Sequence, residues 1–223
     1  MPGPAVAEQL NKITLANIIG PVAVGKTTCL NYISTHSTEF GRVQSFTTRP
    51  RREDDPEEDY RYLEHSQQTI VTIAQKVRSA ELVQYAVHPT TGYIYGSVVS
   101  DYYRPYMMLA ALADSISGLR RLPFKEVKAL CLITEPEEWL RRFAGRNNKV
   151  DSQKRLVEGI NSLEWCLDQG DSLPWVCNPA GMGRLADVCQ EIQLIIKGNI
   201  QPSRSARDLG EKLLATMIET VEL

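Results

Sequence analysis

The sequence lacks the features that mark secreted, disulfide-stabilised and zinc-bound proteins. Its 223 residues include 5 cysteines, and no two of them are spaced as a CxxC pair. An odd number of scattered cysteines indicates reduced intracellular thiols, and it argues against both a disulfide framework and a metal-cysteine site. The 3 histidines, at positions 36, 65 and 88, are too far apart to predict a metal site.

Strong net charge and long apolar runs are also missing. The 25 basic and 27 acidic side chains give a formal charge of -2, so no bulk field would recruit nucleic acid or an anionic membrane. No run approaches the roughly 18 consecutive apolar residues that suggest a membrane span. The first residues, MPGPAVAEQLNK, lack the basic patch and apolar core of a secretory signal. We therefore expect a soluble, cytoplasmic protein with no nucleic-acid and no membrane partner.

The sequence does contain an alternation of short apolar runs with segments of helical period. Predicted buried strands lie at residues 13–19, 107–113, 127–133 and 175–177. Predicted helices lie near residues 27–37, 136–145, 152–168 and 183–197. With 43% hydrophobic residues, the chain can bury a sizeable core. The alternation predicts an α/β fold in which helices cover both faces of a parallel sheet.

The composition changes between residues 44 and 97, where Tyr, Thr and Gln are frequent and a polar stretch, RPRREDDPEEDY, interrupts the pattern. This change predicts a lobe at 44–97 that is inserted into a core formed by residues 12–43 and 98–198. Over residues 199–223 we expect a linker and a terminal helix, whose apolar residues recur at helical spacing. That helix either docks on the core or forms a dimer contact, so a monomer and a homodimer both remain open.

Residues 20–28, GPVAVGKTT, satisfy the pattern GxxxxGK[ST] of a phosphate-binding P-loop. An apolar run precedes the loop and a helix-compatible segment follows it. Gly20 and Gly25 let the backbone bend closely around phosphate oxygens. Lys26 would reach the outer phosphates of a nucleoside triphosphate, and Thr27 would ligate Mg2+.

The predicted ATP-binding residues of the loop are Gly20, Pro21, Val22, Ala23, Val24, Gly25, Lys26, Thr27 and Thr28. The loop does not identify the acceptor, because GTPases, ATPases and small-molecule kinases share it.

A second candidate site follows in the stretch SFTTRPRREDDPEEDYRY. Arg49 and Arg52 can make charge-assisted, bidentate contacts with a phosphate. Ser45 and Tyr60 add hydroxyl donors without extra charge. This composition predicts a phosphomonoester pocket. The alternative is a solvated charged loop in which the arginines and acids pair with one another.

Four motifs, in order along the chain, resemble those of the guanylate kinase family of P-loop nucleoside monophosphate kinases. SFTTRPRR followed by DY is similar to the segment that holds the acceptor nucleotide. ELVQYAVHPTTGYIYGS resembles the strand pair that ends in a YG[ST] element. EPEEWLRRFAGRNN with KRL after it resembles the arginine lid, and WVCNP resembles the late strand beside the donor's adenine. The resemblance extends from residue 13 to residue 196, nearly the whole chain except the tail.

The resemblance implies a P-loop three-layer α/β fold with a nucleoside-monophosphate-binding lobe and an arginine lid at 138–156. It also implies ATP and Mg2+ as cofactors and a nucleoside monophosphate as acceptor, giving ADP and a nucleoside diphosphate. The implied acceptor-binding residues are Ser45, Arg49, Arg52, Tyr60, Gln84, Tyr95, Ser97 and Ser115. The implied catalytic residues are Lys26, Arg142, Arg146 and Arg155, and Asn178 is placed by the donor's adenine.

Two positions depart from the family's pattern, and both concern the acceptor base. Gln84 stands where the family presents a glutamate to guanine, and an amide offers one acceptor oxygen where a carboxylate offers two. At the family's DxDxxG strand end this chain reads LADSISG, so Ala113 and Ser115 replace both acids, with Asp114 between them. We therefore expect an acceptor that need not be GMP. The alternatives are a kinase for a modified nucleotide or a non-nucleotide phosphate, and a non-catalytic binding module.

Overall fold

The computed structural model of the protein describes residues 2–51, 60–87, 91–110, 112–145, 149–181, 184–199 and 204–221. At residues 149–152 the description covers the backbone alone. The predicted site residues Arg52 and Arg146 lie outside the described residues.

Strands and helices alternate along these ranges, as the apolar runs predict. The strands are β1 (Thr14–Ile19), β2 (Phe40–Arg42), β3 (Phe46–Thr47), β4 (Arg61–Tyr62), β5 (Leu82–Val87), β6 (Ile94–Val98), β7 (Tyr106–Leu109), β8 (Glu126–Ile133) and β9 (Trp175–Cys177). The helices are α1 (Pro4–Leu10), α2 (Lys26–His36), α3 (Gln67–Arg78), α4 (Ile116–Leu119), α5 (Pro136–Ala144), α6 (Lys149–Asp168), α7 (Leu185–Lys197) and α8 (Arg204–Val221). In the described part of the chain, no helix combines the length and apolar character needed to cross a bilayer.

Five parallel strands form the central sheet, in the order β2-β7-β1-β8-β9. Every residue of β1 is buried, as expected for a central strand of a sheet that is covered on both faces. Cys131 of β8 pairs with Trp175 of β9. The predicted α/β fold with a parallel core sheet is confirmed. The strand predicted at 107–113 ends at Leu109, because an apolar run alone does not reveal where a strand gives way to the 3-10 turn at Ala113–Ser115.

The chain divides into two compact units. The first comprises Met1–Leu15, Ser37–Met108 and Ser117–Val127, and the second comprises Ala16–His36, Leu109–Ile116 and Lys128–Leu223. The predicted lobe at 44–97 falls within the first unit, and the predicted lid at 138–156 falls within the second. The boundaries of the lobe and the lid themselves stay predictions.

In the first unit, a four-stranded mixed sheet runs in the order β4-β3-β6-β5. β3 is parallel to β4 and antiparallel to β6, which pairs with β5 in antiparallel register. The buried cluster of this sheet and of α3 consists of Phe46, Ile73, Leu82 and Ile94. α3 begins after Ser66, whose side-chain oxygen accepts a hydrogen bond from the backbone N–H of Thr69. This cap satisfies a donor that the helix start would otherwise leave unpaired.

In the second unit, the P-loop leads into α2, and the terminal helix α8 packs against α6 and β9. The buried residues of α8 are Ala206, Gly210, Leu213 and Met217. Gly210 lies so close to the ring of Trp175 that a Cβ at this position would overlap it. The terminal helix is therefore docked on this unit, which is the first of the two alternatives left open by the sequence.

Candidate functional site

The P-loop takes its shape from backbone angles that most residues avoid. Gly20, Ala23 and Gly25 have φ angles of 138, 70 and 95°. A Cβ at Gly20 would collide with the carbonyl oxygen of Leu132, and a Cβ at Gly25 would collide with the side-chain amide of Asn178. Glycine is therefore required at both positions by the backbone conformation and by the surrounding atoms.

Lys26, the first residue of α2, folds back over the loop. Its Nζ donates hydrogen bonds to the carbonyl oxygens of Gly20 and Pro21 at 2.6 and 2.7 Å. The side chain is half-buried, so the ammonium charge is fixed at the loop instead of extending into solvent.

Two more loop carbonyls accept hydrogen bonds from side chains that are distant in sequence. The indole Nε1 of Trp139 donates to the carbonyl oxygen of Val22 at 2.9 Å. The Nδ2 of Asn178 donates to the carbonyl oxygen of Val24 at 2.8 Å. Both donor side chains are buried. The helical spacing of Trp139 in the sequence carries no information about a partner on the loop.

The backbone N–H groups of residues 22–25 donate to no other group in the part of the chain that the structure describes. α2 begins directly after them, and its first turn carries no acidic side chain. A loop whose carbonyls are bonded and whose N–H groups lack acceptors attracts an anion, and the adjacent helix N-terminus adds to that attraction. These residues therefore fit the phosphates of a nucleotide.

Thr27 and Thr28 lie in the first turn of α2. The Thr27 side chain is half-buried, and its hydroxyl has no hydrogen-bond partner among the described residues. A hydroxyl in that condition beside a phosphate site fits the oxygen-ligand preference of Mg2+. The described residues offer no group of three or more His, Cys, Asp and Glu side chains arranged to hold a metal. Phosphate oxygens and water would therefore complete the shell of an ion at Thr27.

Of the predicted lid arginines, Arg142 lies at the P-loop. Its Nη1 donates to the carbonyl oxygen of Val24 at 3.4 Å, and its Nη2 donates to that of Pro179 at 3.5 Å. Its Nε donates to Glu138 at 2.6 Å. A second cation therefore stands beside Lys26 at the same loop, and its position is fixed from both ends of the guanidinium.

Glu138 is the acid that connects α5 to this arginine. Its carboxylate accepts hydrogen bonds from Nε and Nη2 of Arg141, both at 2.7 Å, as well as the bond from Arg142. Hydrogen bonds from Arg141 and then Arg142 lower the pKa of Glu138 to about 2, so the side chain is ionised at neutral pH. The sequence offers one indication of this pair, which is the four-residue spacing of Glu138 and Arg142 on a helix.

Asn178 and Arg155 are the remaining residues that we predict on the donor side. Beyond its side-chain bond to the loop, Asn178 donates from its backbone N–H to the carbonyl oxygen of Ile133 at 2.8 Å. Its own carbonyl oxygen accepts a hydrogen bond from Oγ1 of Thr134 at 2.7 Å. Asn178 is thus anchored between β8 and the loop, and its contact with adenine stays a prediction. Arg155 lies half-buried on α6.

In the first unit, an arginine and three tyrosines come together at the mixed sheet. The guanidinium carbon of Arg49 lies 5.9 Å from the ring centroid of Tyr60 and 5.8 Å from that of Tyr62. Tyr60 also meets Tyr95 edge to face, with the ring centroids 5.8 Å apart. One guanidinium N–H donates to the carbonyl oxygen of Pro50 at 3.1 Å. Contacts with aromatic rings orient a guanidinium without using up its N–H donors, so this cluster fits an anionic phosphate.

Gln84 and Ser97 are register partners on β5 and β6, and both meet Tyr102. The Oγ of Ser97 and the phenol oxygen of Tyr102 are 2.9 Å apart, and the Gln84 side chain is near enough to that phenol to oppose the rise of its pKa. Tyr102 is fully buried, and burial raises its pKa well above the ordinary value, so it stays a neutral donor. Sequence reasoning missed Tyr102 as a partner of Gln84, because the chain has 9 tyrosines and no spacing distinguishes this one.

The remaining predicted acceptor residues are not brought together by any described contact. Ser45 is buried in the first unit, and its carbonyl oxygen accepts a hydrogen bond from the backbone of β4. Ser115 belongs to the second unit, where its Oγ donates to the carbonyl oxygen of Leu112 at 2.7 Å. Asp114, in the same 3-10 turn, is exposed. The roles of both serines stay predictions.

No protein-family model matches the chain, and no curated protein matches it significantly. Among solved structures, the chain is similar to a guanylate kinase from Anaplasma phagocytophilum, with 14% sequence identity and a TM-score of 0.48. The match covers 87% of this chain and 88% of that one. A likeness of this size carries no argument about activity or substrate. The residues of this chain form an α/β fold with a P-loop between a buried parallel strand and a helix.

Proposed function

We propose that the protein transfers the γ-phosphoryl group of ATP to a nucleoside monophosphate, giving ADP and a nucleoside diphosphate. The observation that carries this proposal is the P-loop itself. Its carbonyls are bonded to Lys26, Trp139 and Asn178, while the N–H groups of residues 22–25 have no acceptor among the described residues. Such a loop is built for the phosphates of a nucleotide.

On the donor side, the loop amides and the start of α2 would hold the phosphates. An anionic phosphate oxygen is a stronger acceptor than a peptide carbonyl, so Lys26 would exchange part of its bonding to Gly20 and Pro21 for the nucleotide. Thr27 would hold Mg2+, which supplies charge neutralisation at the phosphates. Arg142 would add a cation for the transferring group, together with Arg146 and Arg155.

On the acceptor side, Arg49 with Tyr60 and Tyr95 supplies charge and hydroxyl donors that suit a phosphomonoester. Arg52 would add a second guanidinium. The attacking oxygen of an acceptor phosphate is already anionic, so no side chain needs to act as a strong general base. The chemistry then depends on positioning and on neutralising charge, and arginines and lysine supply both.

The Gln84 and Tyr102 contact favours an acceptor other than GMP, such as another nucleoside monophosphate, a modified nucleotide or a non-nucleotide phosphate. The Gln84 side chain lies near the Tyr102 phenol that meets Ser97. An amide presents one acceptor oxygen and an NH2 donor to guanine, where a carboxylate presents two acceptor oxygens. A site whose polar groups suit one base rejects another strongly, because the mismatched groups are left unpaired.

ADP release from ATP and Mg2+, measured with a panel of ribo- and deoxyribonucleoside monophosphates, tests the proposal. We expect turnover with one class of acceptor, and a loss of about 100-fold or more in Lys26→Ala, because that variant removes the cation of the loop. Best turnover with GMP would show that Gln84 accommodates guanine. ATP binding without turnover of any acceptor would refute the transferase and favour a binding module.

A further inference from the structure

α5 is attached to the P-loop by the side chains of its first two turns. Trp139 is fully buried, and its indole N–H donates to the carbonyl oxygen of Val22 at 2.9 Å. Arg142, three residues later on the same helix, donates to the carbonyl oxygen of Val24 at 3.4 Å. This part of the predicted lid is therefore docked on the donor loop.

Glu138 holds the other end of Arg142. The distance from the Nε of Arg142 to the Oε1 of Glu138 is 2.6 Å, and 9% of the Glu138 side chain is exposed. A carboxylate bonded at Nε helps to fix the plane of a guanidinium, and bonds from the terminal nitrogens fix the orientation further. These are the two nitrogens that lie next to the carbonyl oxygens of Val24 and Pro179.

The neighbouring charged residues do not share this arrangement. Glu137 is exposed, and it forms no ion pair with any residue in the described ranges. Arg141 also pairs with Glu138, but its side chain is 72% exposed. In the described part of the chain, its polar contacts are with Glu138 alone. Glu137 therefore offers a matched control for Glu138.

We infer that Glu138 is a positioning residue, which holds Arg142 at the P-loop so that its cation is fixed in place on the donor side. This inference rests on the proposed function and extends it to a residue that belongs neither to the P-loop nor to the three predicted lid arginines. A cation that is fixed in advance needs no reorganisation when charge develops on the transferring group, and this is the condition under which it lowers a barrier most.

Two readouts on the full chain test the inference. The first is steady-state ADP release with the best acceptor of the panel. We expect Glu138→Gln to lower kcat by about tenfold to a hundredfold with a smaller change in the KM of the acceptor, since a small misplacement of a charged group costs that much. Glu138→Asp, which keeps the charge, should recover part of the loss. Glu137→Gln should behave like the wild type.

The second readout is the NMR signal of the Arg142 Nε–H, assigned by its disappearance in Arg142→Gln. We expect slow exchange with solvent in the wild type and in Glu137→Gln, and fast exchange in Glu138→Gln. In a double-mutant cycle, Glu138→Gln should have little further effect on kcat once Arg142 is replaced, because the two side chains act as one unit.

The outcomes separate the inference from the proposed function. A wild type that turns over no acceptor overturns both. If the wild type is active but Glu138→Gln has the same kcat as Glu137→Gln, the inference alone is overturned. The same conclusion follows if the effects of replacing Glu138 and Arg142 on kcat are additive. Should Glu138→Gln fail to fold, Glu138→Asp decides, because it keeps the charge and shortens the side chain. A partial fall in kcat with faster exchange of the Arg142 Nε–H supports the inference, and a kcat and an exchange rate equal to those of the wild type overturn it.

Discussion

At the scale of single residues, Gly25 is the P-loop position that lies against two side chains, those of Asn178 and Arg142. Its φ angle is 95°, and a Cβ at this position would collide with the Nδ2 of Asn178 and lie 3.7 Å from the Nη1 of Arg142. Gly170 also has a positive φ angle, 61°, but open space surrounds the position of its Cβ. The two glycines therefore separate the cost of the backbone conformation from the cost of the collision.

We expect Gly25→Ala to abolish tight ATP binding and Gly170→Ala to leave it intact. The left-handed conformation costs a non-glycine residue about 1–2 kcal/mol, and this cost alone should appear in the free energy of unfolding of Gly170→Ala. In Gly25→Ala the added methyl group also pushes the Asn178 amide away from Val24. Calorimetric titration with ATP and urea unfolding measure the two effects. Equal ATP affinity in both variants would contradict the contact between Asn178 and the loop.

At the scale of elements, α8 supports the part of α6 that lies against the P-loop. The Cε of Met217 and the Cβ of Pro21 both approach Gly159 of α6, where an added Cβ would lie 2.7 and 3.0 Å from them. Met217 is fully buried, whereas the next residue, Ile218, is 41% exposed. α8 is thus an integral element of the second unit, although it lies beyond the segment that resembles guanylate kinases.

We expect Met217→Ala to lower the free energy of unfolding by about 2–5 kcal/mol, because it leaves a cavity between α8 and α6. Ile218→Ala removes a side chain of similar size from the exposed side and should cost about 0.5 kcal/mol or less. Denaturant unfolding measures both values. A similar cost for the two substitutions would mean that α8 does not dock through the face that carries Met217.

The elements that could be predicted from the sequence are those with long local patterns. β8 is a run of apolar residues, and the P-loop has fixed residues between a strand and a helix, so both were evident. β2, β3 and β4 have only two or three residues each, which is too short for any periodicity. The partners of Gln84 and of the P-loop carbonyls were not predictable, because Tyr102, Trp139 and Asn178 reach them through tertiary packing that no sequence spacing encodes.

At the scale of the whole molecule, the cysteines are interior residues. Cys29, Cys131, Cys166 and Cys189 are buried, and Cys177 is half-buried. Burial, together with the nearby carboxylates of Glu135 and Glu191, raises the pKa of Cys177 to about 11. A thiol with that pKa is protonated below pH 11, so only about one molecule in a thousand carries the reactive thiolate at pH 8.

We expect the folded protein to react slowly with an aromatic disulfide reagent at pH 8, and the reaction of Cys177 to accelerate as the pH rises toward 11. Unfolding in urea should expose all 5 thiols. The absorbance of the released thiolate measures both rates, and Cys177→Ser should remove the accelerating phase. A thiol that reacts rapidly at pH 7 in the native protein would be inconsistent with this interior placement.

The P-loop has this shape only in the folded chain, because Trp139 and Asn178, which bond to its carbonyl oxygens, are 117 and 154 residues away in sequence from their partners. The unfolded chain therefore lacks this loop, and under the proposed function a nucleotide would bind and stabilise the native state alone. By this linkage, a nucleotide at 100 times its dissociation constant would raise the free energy of unfolding by about 2.7 kcal/mol. The supply of nucleotide would then set how often the chain unfolds and how long it survives proteases.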